Sequence, residues 1–378
     1  MKKKVLIICG QEIIYERNDG GKKGSYKNYE LFQNVFGKQN VFLYIMTNKY
    51  FDNEEQIFRV RSYKNVLDRA FNIVRGSFFT SSRNEDIIID FIEKNEIDIV
   101  CFERSMFGRM IKEIKRRGLK CEIWISVHNI EKNYFENKVK YHSKKFYLPY
   151  KMISYSEKQT FKYADYIIAL TQRDASLIKE YYNKEANCIL PMAFRDNYDR
   201  SKQELDVEES KELLFIGTMF PPNYDGIKWF VENVMVELDE YHLQIVGKNF
   251  ELKRKELERK NVTVIGSVEN LEKYYYRNNI IVMPIFYGDG IKVKTAEAMM
   301  YGKTILASDE ALEGYDVKGI DGIVRCNSKT EYIEAIKMES TKRVYQYNQT
   351  VRELFLDKYS FEKQRSKCEK MWECIVKR

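Results

Sequence analysis

The chain contains no Cys-x-x-Cys pair, and its seven cysteines (Cys9, Cys101, Cys121, Cys188, Cys326, Cys368 and Cys374) are scattered and odd in number. That spacing argues against a disulfide framework and against a structural zinc held by paired thiolates, and it suits a reducing compartment. No apolar run approaches the length of a membrane span. The N-terminus has a basic head but only a brief apolar run, so residues 5–9 read as a first buried strand rather than a signal peptide. A nucleic-acid-binding module is also missing, and the lysines are dispersed. The formal charge of +8 is modest. It permits attraction to anionic lipid head groups or phosphorylated substrates without demanding nucleic acid.

What is present is enough apolar material, 44% of 378 residues, for two domains with proper cores. Short continuous apolar runs recur at 5–9, 41–46, 97–102, 122–127, 166–170 and 189–192, with amphipathic helical stretches such as 87–92 and 106–114 between them. Strands alternating with helices indicate an α/β fold with a parallel, doubly wound sheet. Ligands bind at the carboxyl ends of such strands, which singles out Glu103, His128 and Thr171, each just past a run. Residues 201–211 are charged and poor in apolar side chains, and read as a linker. The α/β pattern then restarts at 212–219, followed by Pro221-Pro222-Asn223 and a helix beginning near Asp225, with further strands at 242–247 and 262–268. Gly217, Gly247 and Gly266 stand at or near strand ends, where they open room for a ligand. The expected domains are 1–205 and 206–360.

Residues 283–308 hold the most specific pattern. An apolar strand at 280–285 runs into Gly288-Asp289-Gly290, then a short helix over 293–301 stopped by Gly302, then a new apolar strand. Two glycines around one residue let the backbone turn with positive φ and expose successive N–H groups. The helix N-terminus adds its own unpaired N–H groups and dipole. With Lys292 and Lys294 alongside, the turn becomes a pocket for a phosphate or diphosphate. Glu297, one turn into the helix, lies within reach of a sugar hydroxyl. The glycine turn alone reads equally well as an ordinary strand–turn–helix joint; the joined set is far more specific.

This stretch resembles the donor-binding signature of retaining GT-B glycosyltransferases of family 4 (glycosyl transferases group 1). Gly288, Gly290, Ile291, Lys292, Lys294, Glu297, Ala298, Met299 and Gly302 fit it, while Lys303 stands where the family usually has Pro and Asp289 where many members have Glu. Three further segments resemble the family: Asp19-Gly20-Gly21 its glycine-rich loop, near acceptor and donor sugar; His128-Asn129-Ile130-Glu131 its His-Asn-x-Glu string; and the stretch from Gly217 to Asn223 its Phe-x-Gly-(Ser/Thr)-Met…Pro-Asn segment, with Thr218 where many members carry Arg.

The resemblance implies a GT-B fold, two Rossmann-like domains facing across a cleft, with the last helix (361–378) packing back onto the N-terminal domain. It implies transfer of a hexose from a nucleotide diphosphate sugar, UDP or GDP sugar, to a glycan, lipid-linked or protein acceptor. Anomeric configuration would be retained, in bacterial surface glycan synthesis. Lys292, Lys294 and the helix N-terminus would hold the diphosphate, Glu297 the ribose, Gly217 and Gly266 the nucleotide, and Asp289 and His128 the sugar. No cofactor is expected, and no Asp-x-Asp occurs to hold a metal. Two other readings stay open: a catalytically silent GT-B subunit that binds a partner transferase, and a nucleotide-sugar epimerase. The expected location is the cytoplasm, with peripheral contact at the inner face of the plasma membrane. Residues 132–151, where Lys mixes with Tyr and Phe, read either as a solvated helix face with a buried aromatic side or as an interfacial patch docking on an anionic membrane.

Overall fold

The computed structural model describes residues 3–16, 20–49, 51–52, 54–141, 143–202, 211–288, 290–342 and 347–376. Asp19, Asp289 and most of the expected linker lie outside these residues. The chain divides into two compact units, Met1–Ala193 with Gln364–Arg378, and Phe194–Lys363.

The described residues of the first unit form a seven-stranded sheet built from β1 (Val5–Cys9), β2 (Val41–Thr47), β3 (Ile57–Arg61), β4 (Ile99–Glu103), β5 (Glu122–Val127), β6 (Tyr166–Ala169) and β7 (Cys188–Ile189). Their order is β3-β2-β1-β4-β5-β6-β7, and every pairing is parallel. β1 and β4 are buried at every position. Helices on both faces of a parallel sheet leave no solvated side, so these strands are continuous apolar runs rather than alternating ones.

The helix Phe361–Val376 brings Trp372, with no exposed surface, against Phe32 and Trp124 at centroid distances of 5.0 and 5.3 Å. Gly20 and Gly21 are the first residues of the helix Gly20–Phe36 rather than part of a loop. The apolar residues beyond them, Leu31 and Phe32 among them, bury one face of that helix, and the glycines are drawn into its first turn.

The second unit repeats the plan with β8 (Glu212–Ile216), β9 (His242–Val246), β10 (Val262–Gly266), β11 (Ile280–Met283), β12 (Thr304–Ala307) and β13 (Ile323–Arg325), in the order β10-β9-β8-β11-β12-β13. All of these pairs are parallel too. The chain winds outward from β8 to β10, then returns to lay β11 on the other side of β8. The strand order thus reverses between β8 and β11, and a crevice opens at the carboxyl end of such a switch point. The helix after β8 starts at Pro221, with Pro at its first positions, four residues before the start expected near Asp225. Proline is suited to that place because its missing N–H would have had no partner there.

Candidate functional site

The second unit gathers its charged groups at this switch point. Gly288 and Gly290 leave β11 with φ of 145° and 72°, in the region that favours glycine. The helix Val293–Met300 follows, and no side chain caps its N-terminus among the described residues. Its first N–H groups therefore face the turn, with the positive end of the dipole behind them.

Lys294 turns inward. Its Nζ donates to Asn223 Oδ1, near the start of the helix Pro221–Asn233, and lies 5.1 Å from the centroid of Phe215 on β8. Asn223 is held in turn by donating to the Thr218 carbonyl at 2.7 Å. Burial pushes the Lys294 ammonium down to about 7, Glu297 pulls it back up, and Lys292 lowers it further. A side-chain carbon at Gly217 would come within 2.7 Å of this Nζ, so the lysine occupies the room that the glycine leaves.

Lys292 is anchored differently. Its Nζ donates to Glu310 Oε1 at 2.5 Å and to the Gly290 carbonyl at 2.8 Å, and its own carbonyl accepts from the Tyr315 hydroxyl at 2.9 Å. Glu310 follows β12, so the loops after β8, β11 and β12 all contribute. Glu297 accepts from the buried Tyr275 hydroxyl at 3.4 Å, and Tyr275 stacks on Tyr301 at 4.7 Å. Ile291 packs against the core of the unit. Gly266 closes β10 with φ of 82° beside Glu251, whose carboxylate accepts from Ser267 N at 3.0 Å.

The first unit holds a separate cluster at the carboxyl ends of β4 and β5. His128 Nε2 lies 2.6 Å from Oε2 of Glu103, the last residue of β4 and almost fully buried. Asn28, on the helix Gly20–Phe36, donates to both Glu103 oxygens at 3.2 and 3.3 Å and to Ser126 Oγ at 3.0 Å, while Ser25 Oγ approaches His128 at 3.5 Å. The imidazole is thus held by a carboxylate, with its remaining edge beside a small pocket lined by Gly24, Leu190 and Met192. Thr171 caps the helix Gln172–Tyr182 by accepting from Asp174 N at 3.0 Å, which accounts for it structurally. Glu131 opens the helix Glu131–Tyr141, and its N–H donates at 2.9 Å to Glu157, a buried carboxylate whose pKa burial raises despite these donors.

Lys292, Lys294, Glu297, Gly217, Gly288 and Gly290 thus belong to one neighbourhood, whereas His128 belongs to the other unit's cluster. Asp289 falls outside the described residues. Glu310 and Asn223, which fix the two lysines, and Asn28 and Ser126, which fix Glu103, were not expected as site residues. The sequence marks Asn223 only as the Asn of the family's Pro-Asn and by its place just after two prolines at a helix start.

Residues 210–338 match the family model of Glycosyl transferases group 1. A curated relative, an "uncharacterized 44.6 kDa protein in cps region" of Klebsiella pneumoniae, is 21% identical over 98% of this chain and 99% of its own length. Among solved structures, sucrose-phosphate synthase of Thermosynechococcus elongatus superposes with a TM-score of 0.72 at 13% identity, covering 99% of both chains. WaaG, a glycosyltransferase involved in lipopolysaccharide biosynthesis, gives 0.67 at 14% identity over 97% of this chain and 99% of its own. Anabaena Alr3699/HepE in complex with UDP gives 0.66 at 9% identity over 98% of this chain and 100% of its own. The fold is the GT-B fold of glycosyltransferases, and the stretch that matches the group 1 model includes the Gly288–Glu297 pattern.

Proposed function

We propose that the chain is a metal-independent retaining glycosyltransferase that moves a hexose from a nucleotide diphosphate sugar to a glycan or lipid-linked acceptor in the synthesis of a bacterial surface glycan. The observation that carries this reading is the pairing of Lys292 and Lys294 with a helix N-terminus, capped by no side chain among the described residues, behind the Gly288–Gly290 turn at the strand-order reversal. A leaving diphosphate there meets the helix N-terminus, Lys292, and a Lys294 that takes up its proton as the phosphate arrives, which together stabilise charge that develops in the transition state. Glu297 binds the ribose hydroxyls, and the resemblance gives a sugar-orienting role to Asp289 in the second unit and to His128 in the first. Glu103 keeps the imidazole in place for that role. The neighbour with UDP bound favours a uridine donor.

The bond from the anomeric carbon to the phosphate oxygen breaks as the bond to the acceptor oxygen forms on the same face. The acceptor's proton passes to the departing phosphate oxygen. No side chain serves as nucleophile in this scheme.

A thermal-shift screen of UDP, GDP, ADP and their sugars tests the donor site, run on the wild type and on Glu297→Ala. One nucleotide family raises the wild-type midpoint by mass action, and the variant loses most of that rise. If none shifts the wild type, the donor reading fails and the silent-subunit reading takes its place.

A further inference from the structure

The helix Val66–Val74 in the first unit is inside out for a globular protein. Asn72 is its one fully buried residue, whereas Val66, Leu67, Phe71 and Val74 are 81, 81, 59 and 76% exposed, and Ala70 is exposed beside them. Positions 66, 67, 70, 71 and 74 make one continuous stripe at 3.6 residues per turn. The polar side is what ties the helix down. Asn72 donates to the Asp68 carbonyl and carboxylate, both at 2.8 Å, and accepts from Ser82 N at 2.9 Å, while Asn65 caps the N-terminus by accepting from Asp68 N at 2.9 Å. Its apolar side is left to the outside.

Charge says what covers the stripe. Arg69 and Arg75 fall on its two borders by the same helical geometry, both are exposed, and the Arg75 guanidinium lies 5.2 Å from the Phe71 ring centroid. An exposed apolar stripe edged by arginines is the pattern of a helix lying in a lipid interface, with apolar side chains among the acyl chains and cations among anionic head groups. Area speaks against a protein partner. Nine residues give a helix face of about 13 Å by 10 Å, far below the roughly 800 Å² per partner of a stable protein interface. A bilayer needs no such area.

The connection also leaves the carboxyl end of β3. Because the sheet is wholly parallel, that is the edge that carries Glu103 and His128. We propose that the helix Val66–Val74 is a membrane-docking element that seats the first unit on an anionic lipid surface. The proposal stands on this helix alone and does not depend on the donor reading.

The test is co-sedimentation of the full chain with vesicles of phosphatidylethanolamine and phosphatidylglycerol, with phosphatidylcholine vesicles as the neutral control. The wild type sediments with the anionic vesicles and much less with the neutral ones. Leu67→Glu with Phe71→Glu lowers the partition coefficient by about tenfold or more. Arg69→Gln with Arg75→Gln lowers it about fivefold per arginine and flattens its dependence on salt. Since these side chains stand in solvent, the circular dichroism and the nucleotide-induced thermal shift stay at wild-type values, which separates loss of docking from loss of fold or of the donor site. The milder pair Val66→Ser and Val74→Ser repeats the measurement with a smaller loss. The proposal is overturned if the wild type ignores anionic vesicles, or if the glutamate pair binds them as well as the wild type does. It is equally overturned if sedimentation velocity shows a wild-type dimer that the glutamate pair converts to monomer with vesicle binding unchanged, because the stripe then belongs to a second copy.

Discussion

Lys294 holds its ammonium group where burial has lowered its pKa to about 7, and the reading above asks it to meet a diphosphate there. Above pH 7 the ligand-free fold keeps this lysine largely neutral, while an unfolded chain keeps it charged up to the ordinary value near 10.5. The unfolded state then binds more protons, so this group's contribution to stability grows as pH rises from about 7. A diphosphate beside it reverses the preference and draws the proton back. Nucleotide diphosphate binding at pH 8 is therefore expected to take up close to one proton, and its affinity to fall by up to about tenfold per pH unit above 7. Titration calorimetry in buffers of different ionisation enthalpy measures the uptake, and Lys294→Met removes both the uptake and the slope. Wild-type binding without proton uptake would place the lysine away from the phosphates.

The offsets of Lys292, Lys294 and Glu297 from the glycine turn were legible because a turn and the first turn of a helix are local. Their partners were not. Glu310 stands 18 residues from Lys292, Asn223 71 from Lys294, and Glu103 25 from His128, and each pairing exists only because separate strands end side by side.

At the scale of elements, the site depends on how closely the helix Pro221–Asn233 approaches the chain leaving β11. Gly226 makes that approach. A side-chain carbon there would fall 1.7 Å from the Pro284 carbonyl oxygen, a backbone atom that cannot swing aside. Two effects oppose each other in Gly226→Ala. Alanine favours a helix interior by about 1 kcal/mol, whereas forcing a methyl into a filled contact costs about 1 to 3 kcal/mol and more when backbone must move. With an overlap this deep the steric effect wins. The variant is expected to be destabilised by roughly 2 kcal/mol, seen as a lower urea midpoint at unchanged slope, and to lose the nucleotide-induced thermal shift because Asn223 moves away from Lys294. A variant as stable as the wild type would mean that the helix and the β11 loop are not held this tightly.

Apolar runs located most strands at this scale because both faces of each sheet are covered, whereas the edge strands β3 and β13, which are only partly buried, stood out in no such run. The start of this helix was missed because Pro221-Pro222-Asn223 reads as a loop until proline's suitability for a first helical turn is given weight. The outward stripe of Val66–Val74 was missed for a different reason: an amphipathic pattern tells which side chains share a face, not which way that face turns.

Taken as a whole, the chain builds its first unit from two pieces separated by the entire second unit, Met1–Ala193 and Gln364–Arg378. The core around Phe32, Phe36 and Trp124 is closed by Trp372, which has no exposed surface. The first unit therefore cannot complete its packing until the last residues are made, whereas the second is one continuous segment with its own core. Truncating a buried Trp to Ala costs about 3 to 5 kcal/mol, a large share of a typical domain's stability. Trp372→Ala is thus expected to lower the unfolding midpoint of the first unit sharply and leave the second in place.

The three tryptophans allow this to be read unit by unit. Trp124 reports on the first unit, and Trp229, against Phe286 at 4.7 Å, on the second. In a Trp229→Phe background the remaining fluorescence transition should move to lower urea on adding Trp372→Ala. In a Trp124→Phe background it should stay where it was. If both transitions moved together by the same amount, the two units would unfold as one cooperative body, and the second could not be treated as a fold in its own right.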